Sequence, residues 1–155
     1  MAHYDYLILG NSAAAVTAVE SIRIVDASSS IRMVSPEPYA AYGTPLISYL
    51  LEGKTSQEAM AYKAPTFYED NAVETTFGEG FGASALDAAA HTVTLDNGEV
   101  ISYGKVLVAT GSVPFTPPIK GLIGASNMST FLTLDQALFC ADQVGRATQA
   151  AHDEG

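Results

Sequence analysis

The sequence predicts an α/β fold: a parallel sheet flanked by helices, with a small antiparallel β-meander set into it. Three observations predict it. Leu7-Ile8-Leu9 is a short apolar run that ends at Gly10 and passes at once into a helical pattern, and a second β-type run follows at the distance a crossover requires. Val106-Leu107-Val108 is a run of the same kind and again ends in small residues, Ala109-Thr110-Gly111. Ahead of it, Asn97-Gly98 separates two stretches rich in β-branched residues, a strong short-range hairpin signal.

Taken in order, Leu7 to Leu9 is uninterrupted in apolar character, as expected of a strand buried on both faces. From Ala13 a helix follows, with Ala15, Val16, Val19, Ile22 and Arg23 at i, i+3/i+4 spacing, and Asp26-Ala-Ser-Ser-Ser30 turns the chain. Ile31 to Ser35 is the second strand, and Pro36-Glu37-Pro38-Tyr39 is a rigid loop. Thr44-Pro45 reads as an N-cap with proline at the first helical position, before a helix whose apolar face is Leu46, Ile47, Leu50 and Leu51 and which Gly53 can stop. Residues 56–70 read as helical, broken at Pro65. Strands are expected at 73–77, 91–95, 99–103 and 106–111, the last one buried, followed by a proline-rich loop. Thr133-Leu-Asp-Gln136 resembles a capping box and opens a last helix with Leu134, Ala137, Leu138, Ala141 and Val144 on one side, after which 146–155 is a polar, frayed tail.

At 155 residues the chain is long enough for one full core, so the expected organisation is one domain at 1–144 and a tail at 145–155. Its apolar content of 48% is that of a globular chain rather than a disordered one. A net charge of −10, with Lys and Arg scattered, argues against nucleic-acid binding and against an anionic membrane surface. The start carries no basic leader region, and no apolar run approaches the ~20 residues needed to span a bilayer. Cys140 is the single cysteine, which excludes an intrachain disulfide and a CxxC pair. The composition points to a cytoplasmic protein.

The turn Gly10-Asn11-Ser12-Ala13-Ala14-Ala15 carries the chemistry. Small residues let backbone approach a ligand closely, and the opening turn of a helix presents N–H groups that attract an anion. That is how a Rossmann-type βαβ unit holds a dinucleotide pyrophosphate. Here the glycine pattern is relaxed to Gly10-x-Ser12-x-x-Ala15, which a plain tight turn between strand and helix also satisfies. Glu37 lies about 20 residues further on, just past the second strand, where Rossmann units carry the carboxylate that accepts from the adenosine ribose. The competing reading is a solvated loop carboxylate.

The segment His91-Thr-Val-Thr-Leu-Asp-Asn-Gly-Glu-Val-Ile-Ser-Tyr-Gly-Lys-Val-Leu-Val-Ala-Thr-Gly-Ser-Val-Pro114 resembles the three-stranded excursion and ATG signature of the FAD-dependent pyridine nucleotide–disulfide oxidoreductase superfamily. Glu37-Pro-Tyr-x-x-Tyr-x-x-Pro-Leu-Ile-Ser-Tyr-Leu50 resembles the branch holding rubredoxin reductases, NADH oxidases and the flavin domains of nitrite reductases. The likeness runs over roughly residues 4 to 140. It implies a Rossmann-like FAD-binding sheet in which Gly10, Asn11, Ser12, Ala13 and Ala14 cradle the FAD pyrophosphate and Glu37 holds the adenosine ribose. It further implies that Thr44 and Pro45 pass near the pyrophosphate and flavin, that the backbone around Phe81 faces the adenine, and that Ala109, Thr110 and Gly111 close over the cofactor. For Phe81 an ordinary core aromatic is an equal alternative.

The departures from the family pattern bear on mechanism. Members that do dithiol chemistry carry a redox cysteine near the flavin; here Tyr42 stands where the single cysteine would fall, so sulfenate and disulfide chemistry are disfavoured. Relatives commonly have Arg-Pro and a later lysine where this chain has Thr44-Pro45 and Tyr49. Cys140 reads as a partly buried structural thiol, and His3, His91 and His152 show no metal-ligand spacing. No catalytic or metal-binding residue is therefore assigned. In the family an NAD(P)H-binding unit, a Gly-Asp motif at the ribityl chain and an interface domain follow the helix corresponding to 133–144. The expectation is that NAD(P)H is engaged only through a missing C-terminal region or a second chain, either as a fragment or as a short subunit. The implied function is the FAD-binding portion of an NAD(P)H-dependent flavoprotein oxidoreductase that passes electrons to a small acceptor or redox protein. A non-catalytic FAD- or adenine-nucleotide-binding module, or an interaction subunit, is the alternative.

Overall fold

The computed structural model describes residues 1–153, with side chains described through residue 145. The chain divides into two units, Met1–Tyr42 with Ala61–Gly111, and Gly43–Met60 with Ser112–Gly155.

The first unit is built on six strands: β1 (Ala2–Leu9), β2 (Ile31–Ser35), β3 (Val73–Phe77), β4 (Ala83–Asp87), β5 (Thr92–Leu95) and β6 (Val100–Val108). They form one sheet in the order β3-β2-β1-β6-β5-β4. The four strands β3, β2, β1 and β6 run parallel, with Ile8 opposite Met33 on β2 and Leu107 on β6. β5 and β4 continue the sheet antiparallel, β5 forming the expected hairpin with β6. Helix α1 (Ala13–Val25) makes the crossover from β1 to β2, and a one-turn helix α3 (Phe67–Asp70) leads into β3.

Leu7-Ile8-Leu9 is buried on both faces, because successive side chains point to opposite sides of the sheet. Ile8, with Ile31, Met33 and Val73, meets Ala15, Val16 and Val19 of α1 and Phe67 of α3. Leu7 and Leu9, with Val34, pack on the other side with Val93, Leu95, Ile101 and Tyr103 of the meander. Each fully buried Leu, Ile or Val contributes about 1.5–3 kcal/mol, so these two layers hold the parallel strand ends in place.

The second unit holds α2 (Ile47–Leu51), preceded by a 3-10 turn at Thr44–Leu46, and the long helix α4 (Leu134–Asp153), against which α2 packs. Leu134 and Ala137 are buried on α4, with Ile47 and Met60 the buried apolar side chains of 43–60. The start of α4 is a reciprocal capping box: the Thr133 N–H donates to Gln136 Oε1 at 3.1 Å and the Gln136 N–H to Thr133 Oγ1 at 3.3 Å. Between Ser112 and Thr133 the chain forms no helix or strand, and Val113, Phe115, Ile119 and Ile123 are exposed.

Several local expectations are corrected. The two strands expected at 99–103 and 106–111 are one, β6, which ends at Val108; Gly104 makes the continuity possible, since a Cβ there would lie 2.8 Å from the Asp5 carbonyl oxygen of β1. The outer end of β6 is not buried: Leu107 and Val108 are 38% and 59% exposed, because β5 pairs only with residues 100–102 of β6. β4 was not expected, and its exposed Ala-Ser-Ala-Leu-Asp shows no hydrophobic alternation; ladder bonds from β5 hold it at the sheet edge. The cap of the 44–46 turn is Gly43 rather than Thr44. Of the apolar face expected on the following helix only Ile47 is buried, and Leu51 is exposed. Residues 56–70 contain only a 3-10 turn at Glu58–Met60 and α3. Helix α4 runs on to Asp153, through most of the stretch expected to be a frayed tail; residues 154–155 of that stretch lie outside the described residues.

Candidate functional site

The candidate residues of the first unit gather at the carboxyl ends of β1, β2 and β6, the edge at which open α/β sheets bind ligands. Gly10 leaves β1 with φ +111°, a conformation open to glycine and costly to other residues. Its N–H donates to the Val34 carbonyl of β2 at 2.8 Å, and the Ala109 N–H donates to the Leu9 carbonyl at 2.8 Å. A Cβ on Gly10 would run into the carbonyl group of Ala109. Two loop starts, after β1 and after β6, are thus in backbone contact because this position has no side chain.

Ser12 is the N-cap of α1 in extended conformation (φ −135°), and its side chain makes no capping bond. Its carbonyl accepts from the Val16 N–H at 3.1 Å, which closes the first helical turn. The amides of Ala13, Ala14 and Ala15 therefore receive no side-chain cap, and no acidic residue sits in that turn. A helix start of this kind, lined by small residues, fits an anionic pyrophosphate, because free N–H groups and the helix dipole attract negative charge.

The Asn11 side chain ties neighbouring loops together. Its Nδ2 donates to the Tyr39 carbonyl at 3.0 Å, and its Oδ1 accepts from the Tyr68 hydroxyl at 2.8 Å. The same hydroxyl accepts from the Ala41 N–H at 3.0 Å. The Asn11 side chain therefore binds the loop after β1 to the loop after β2, with Tyr68 of α3 as the third point.

Glu37 is half-buried in that second loop. Its Oε2 accepts from the Tyr42 hydroxyl at 2.7 Å, and its N–H donates to the buried Ser35 hydroxyl at 3.3 Å. Beside it runs the loop after β3. The Gly78 N–H donates to the Ser35 carbonyl at 2.9 Å, and a Cβ on Gly82 would lie 3.6 Å from Pro36 Cβ. Phe81 belongs to this loop; its N–H donates to the Gly78 carbonyl at 3.2 Å, and its ring packs with the core layer around Leu7 and Val93. Both readings of Phe81 have a foothold, the ring in the core and the backbone near the Glu37 loop.

Ala109 is half-buried, while Thr110 and Gly111 are exposed, Gly111 with φ +74°. Thr44 and Pro45 belong to the second unit, where Pro45 is exposed and Thr44 half-buried. Cys140 is half-buried on α4 in that same unit. Within the first unit, Lys63 pairs with Glu20 at 2.6 Å, Arg32 pairs with Glu74 at 2.8 Å, and Arg23 bonds the carbonyls of Asn71, Ala72, Asp26 and Ser29.

Sequence reading missed Tyr42 and Tyr68 as site residues. Tyr42 carried a signal, an aromatic hydroxyl five positions from the candidate carboxylate. Tyr68 carried none, because its partners lie far away in sequence.

A profile of the family described as pyridine nucleotide-disulphide oxidoreductase matches residues 4–150. The epsilon subunit of NADH-dependent phenylglyoxylate dehydrogenase from Aromatoleum evansii is 32% identical over 148 residues, which cover 96% of this chain and 34% of that protein. NADH-rubredoxin oxidoreductase from Clostridium acetobutylicum is 29% identical over 107 residues, 69% of this chain and 27% of that protein. A crystal structure of NADH:rubredoxin oxidoreductase from the same organism superposes with TM-score 0.77 at 26% identity, over 90% of this chain and 35% of that one. Putidaredoxin reductase, in its covalent complex with putidaredoxin, shares the fold at TM-score 0.79 and 24% identity, over 93% of this chain and 35% of that one. The chain spans about a third of the length of these proteins. With the profile match covering nearly all of its residues, the chain belongs to the pyridine nucleotide-disulphide oxidoreductase family, which is FAD-dependent and uses NAD(P)H.

Proposed function

We propose that residues 1–144 are the FAD-binding portion of an NAD(P)H-dependent flavoprotein oxidoreductase that passes electrons to a small acceptor or redox protein in the cytoplasm. The observation that carries this reading is the start of α1: a helix N-terminus with no side-chain cap and no acidic residue in its first turn, reached over Gly10, whose lack of a Cβ lets Ala109 pack against it. In this reading the amides following Gly10, from Asn11 to Ala14, hold the pyrophosphate, and the Glu37 carboxylate accepts from the adenosine ribose. Backbone around Phe81 faces the adenine, and Ala109-Thr110-Gly111 covers the cofactor. Bound FAD supplies the hydride-accepting and electron-donating chemistry; this chain's residues bind it, orient it and exclude water from its ADP half. NAD(P)H is engaged by sequence outside these 155 residues or by a second chain, a reading supported by the one-third span relative to the Aromatoleum subunit.

The test is the visible spectrum of the purified chain, with chromatography of the cofactor released on denaturation. Flavin absorbance and recovered FAD are expected, with little bleaching by NADH. A colourless protein that takes up no added FAD would refute the reading.

A further inference from the structure

We propose that Tyr42 is a positioning residue for the nucleotide site: its hydroxyl orients the Glu37 carboxylate for the adenosine ribose and so sets the preference for a ribose bearing a free 2′-hydroxyl. This rests on the ribose reading of Glu37 given above. Pro36 and Pro38 flank Glu37 and stiffen its backbone, yet the side chain keeps three rotatable bonds. The Tyr42 hydroxyl removes that freedom with a 2.7 Å bond to Oε2. A hydrogen bond to a carboxylate is short and strong, and it leaves most of the roughly four acceptor positions of the group for a ligand.

Tyr42 is itself fixed from several sides. Its backbone forms an antiparallel bridge with Ala61, and the Tyr62 N–H donates to the neighbouring Ala41 carbonyl at 2.9 Å. The Tyr39 ring stands edge-on to the Tyr42 ring, with centroids 6.3 Å apart. The Tyr39 carbonyl is in turn held by Asn11 of the pyrophosphate turn. One continuous chain of contacts therefore runs from that turn through Tyr39 and Tyr42 to Glu37. The carboxylate is held in place before the ligand arrives, which lowers the cost of ordering it on binding.

The experiment titrates the full chain with FAD, with FAD carrying 2′-deoxyadenosine, and with FMN, following flavin fluorescence, for wild type, Tyr42→Phe and Glu37→Ala. Wild type should prefer FAD over the deoxy analogue by about tenfold, the effect of one hydrogen bond to a charged group. Tyr42→Phe should weaken FAD and shrink that preference to about twofold or less, with FMN binding unchanged. A role confined to folding would weaken both FAD forms equally and leave the ratio intact, so a Tyr42→Phe variant with the wild-type ratio overturns the proposal. Glu37→Ala separates the two levels of the argument. If it abolishes the preference while Tyr42→Phe keeps it, only the role of Tyr42 fails; if Glu37→Ala leaves the ratio unchanged, the ribose reading fails and takes this proposal with it.

Discussion

At Gly10 a backbone requirement and a space requirement coincide: φ is +111°, and the site of a Cβ is taken by the Ala109 carbonyl. Gly10→Ala should therefore destabilise the fold by about 1–3 kcal/mol, read by urea denaturation, and should also abolish FAD uptake. Arg32 presents a different single-residue question. Its guanidinium is nearly buried, bonded to Glu74 at 2.8 Å, to the Tyr4 hydroxyl at 3.0 Å and to Glu99 at 3.2 Å. Its Nε has no hydrogen-bond partner among the described residues. Both carboxylates are open enough to rehydrate, so the volume of the side chain matters more than its charge. Arg32→Met should cost less than half the loss seen in Arg32→Ala, which we expect at about 2–3 kcal/mol in the same denaturation assay. Residue roles were legible in sequence where backbone demanded a residue type, as at Gly10. They were not legible where side chains meet across long separations, as Asn11 meets Tyr68.

Among the elements, β6 depends on Gly104, because the Asp5 carbonyl leaves no space for a Cβ and backbone cannot yield as a side-chain tip can. Gly104→Val should open the β1–β6 ladder and cost about 2 kcal/mol or more, seen as faster amide exchange at Val106 and Leu107. The α1–β2 turn makes stability pH-dependent. Bonds from the Ser30 hydroxyl and N–H hold Asp5 below the ordinary aspartate range, and bonds from the Ser29 hydroxyl and N–H do the same for Asp26. A carboxyl with a lowered folded pKa stabilises fully above its unfolded value, and that contribution is lost as pH falls through the folded one. Urea midpoints should therefore fall between about pH 4 and lower values, and Asp26→Asn should flatten that acid limb. An unchanged acid limb would contradict the role of the turn. Strands β1, β2, β3 and β5 and the capped start of α4 were readable from periodicity and the Thr133–Gln136 pair. β4 was not readable, because an exposed edge strand is set by its neighbour's ladder rather than by its own side chains. The two strands expected at 99–103 and 106–111 are continuous through Gly104, a glycine that marks close backbone approach.

At the scale of the whole molecule, the fold class followed from the order of motifs, and family membership rests on a profile match over residues 4–150. The candidate site was legible as a set of loops at the strand ends, since Gly10, Glu37 and Ala109 fall where a βαβ sheet converges. The bonds that link those loops, Asn11 to Tyr39 and Tyr42 to Glu37, were not. The central claim is that this chain holds FAD by its ADP half. The most direct test is an equilibrium titration of the 155-residue chain with FAD, with ADP and riboflavin as competitors. The account predicts saturable FAD binding that ADP displaces and riboflavin does not. Displacement by riboflavin with no effect of ADP, or no saturable binding of FAD, would contradict it.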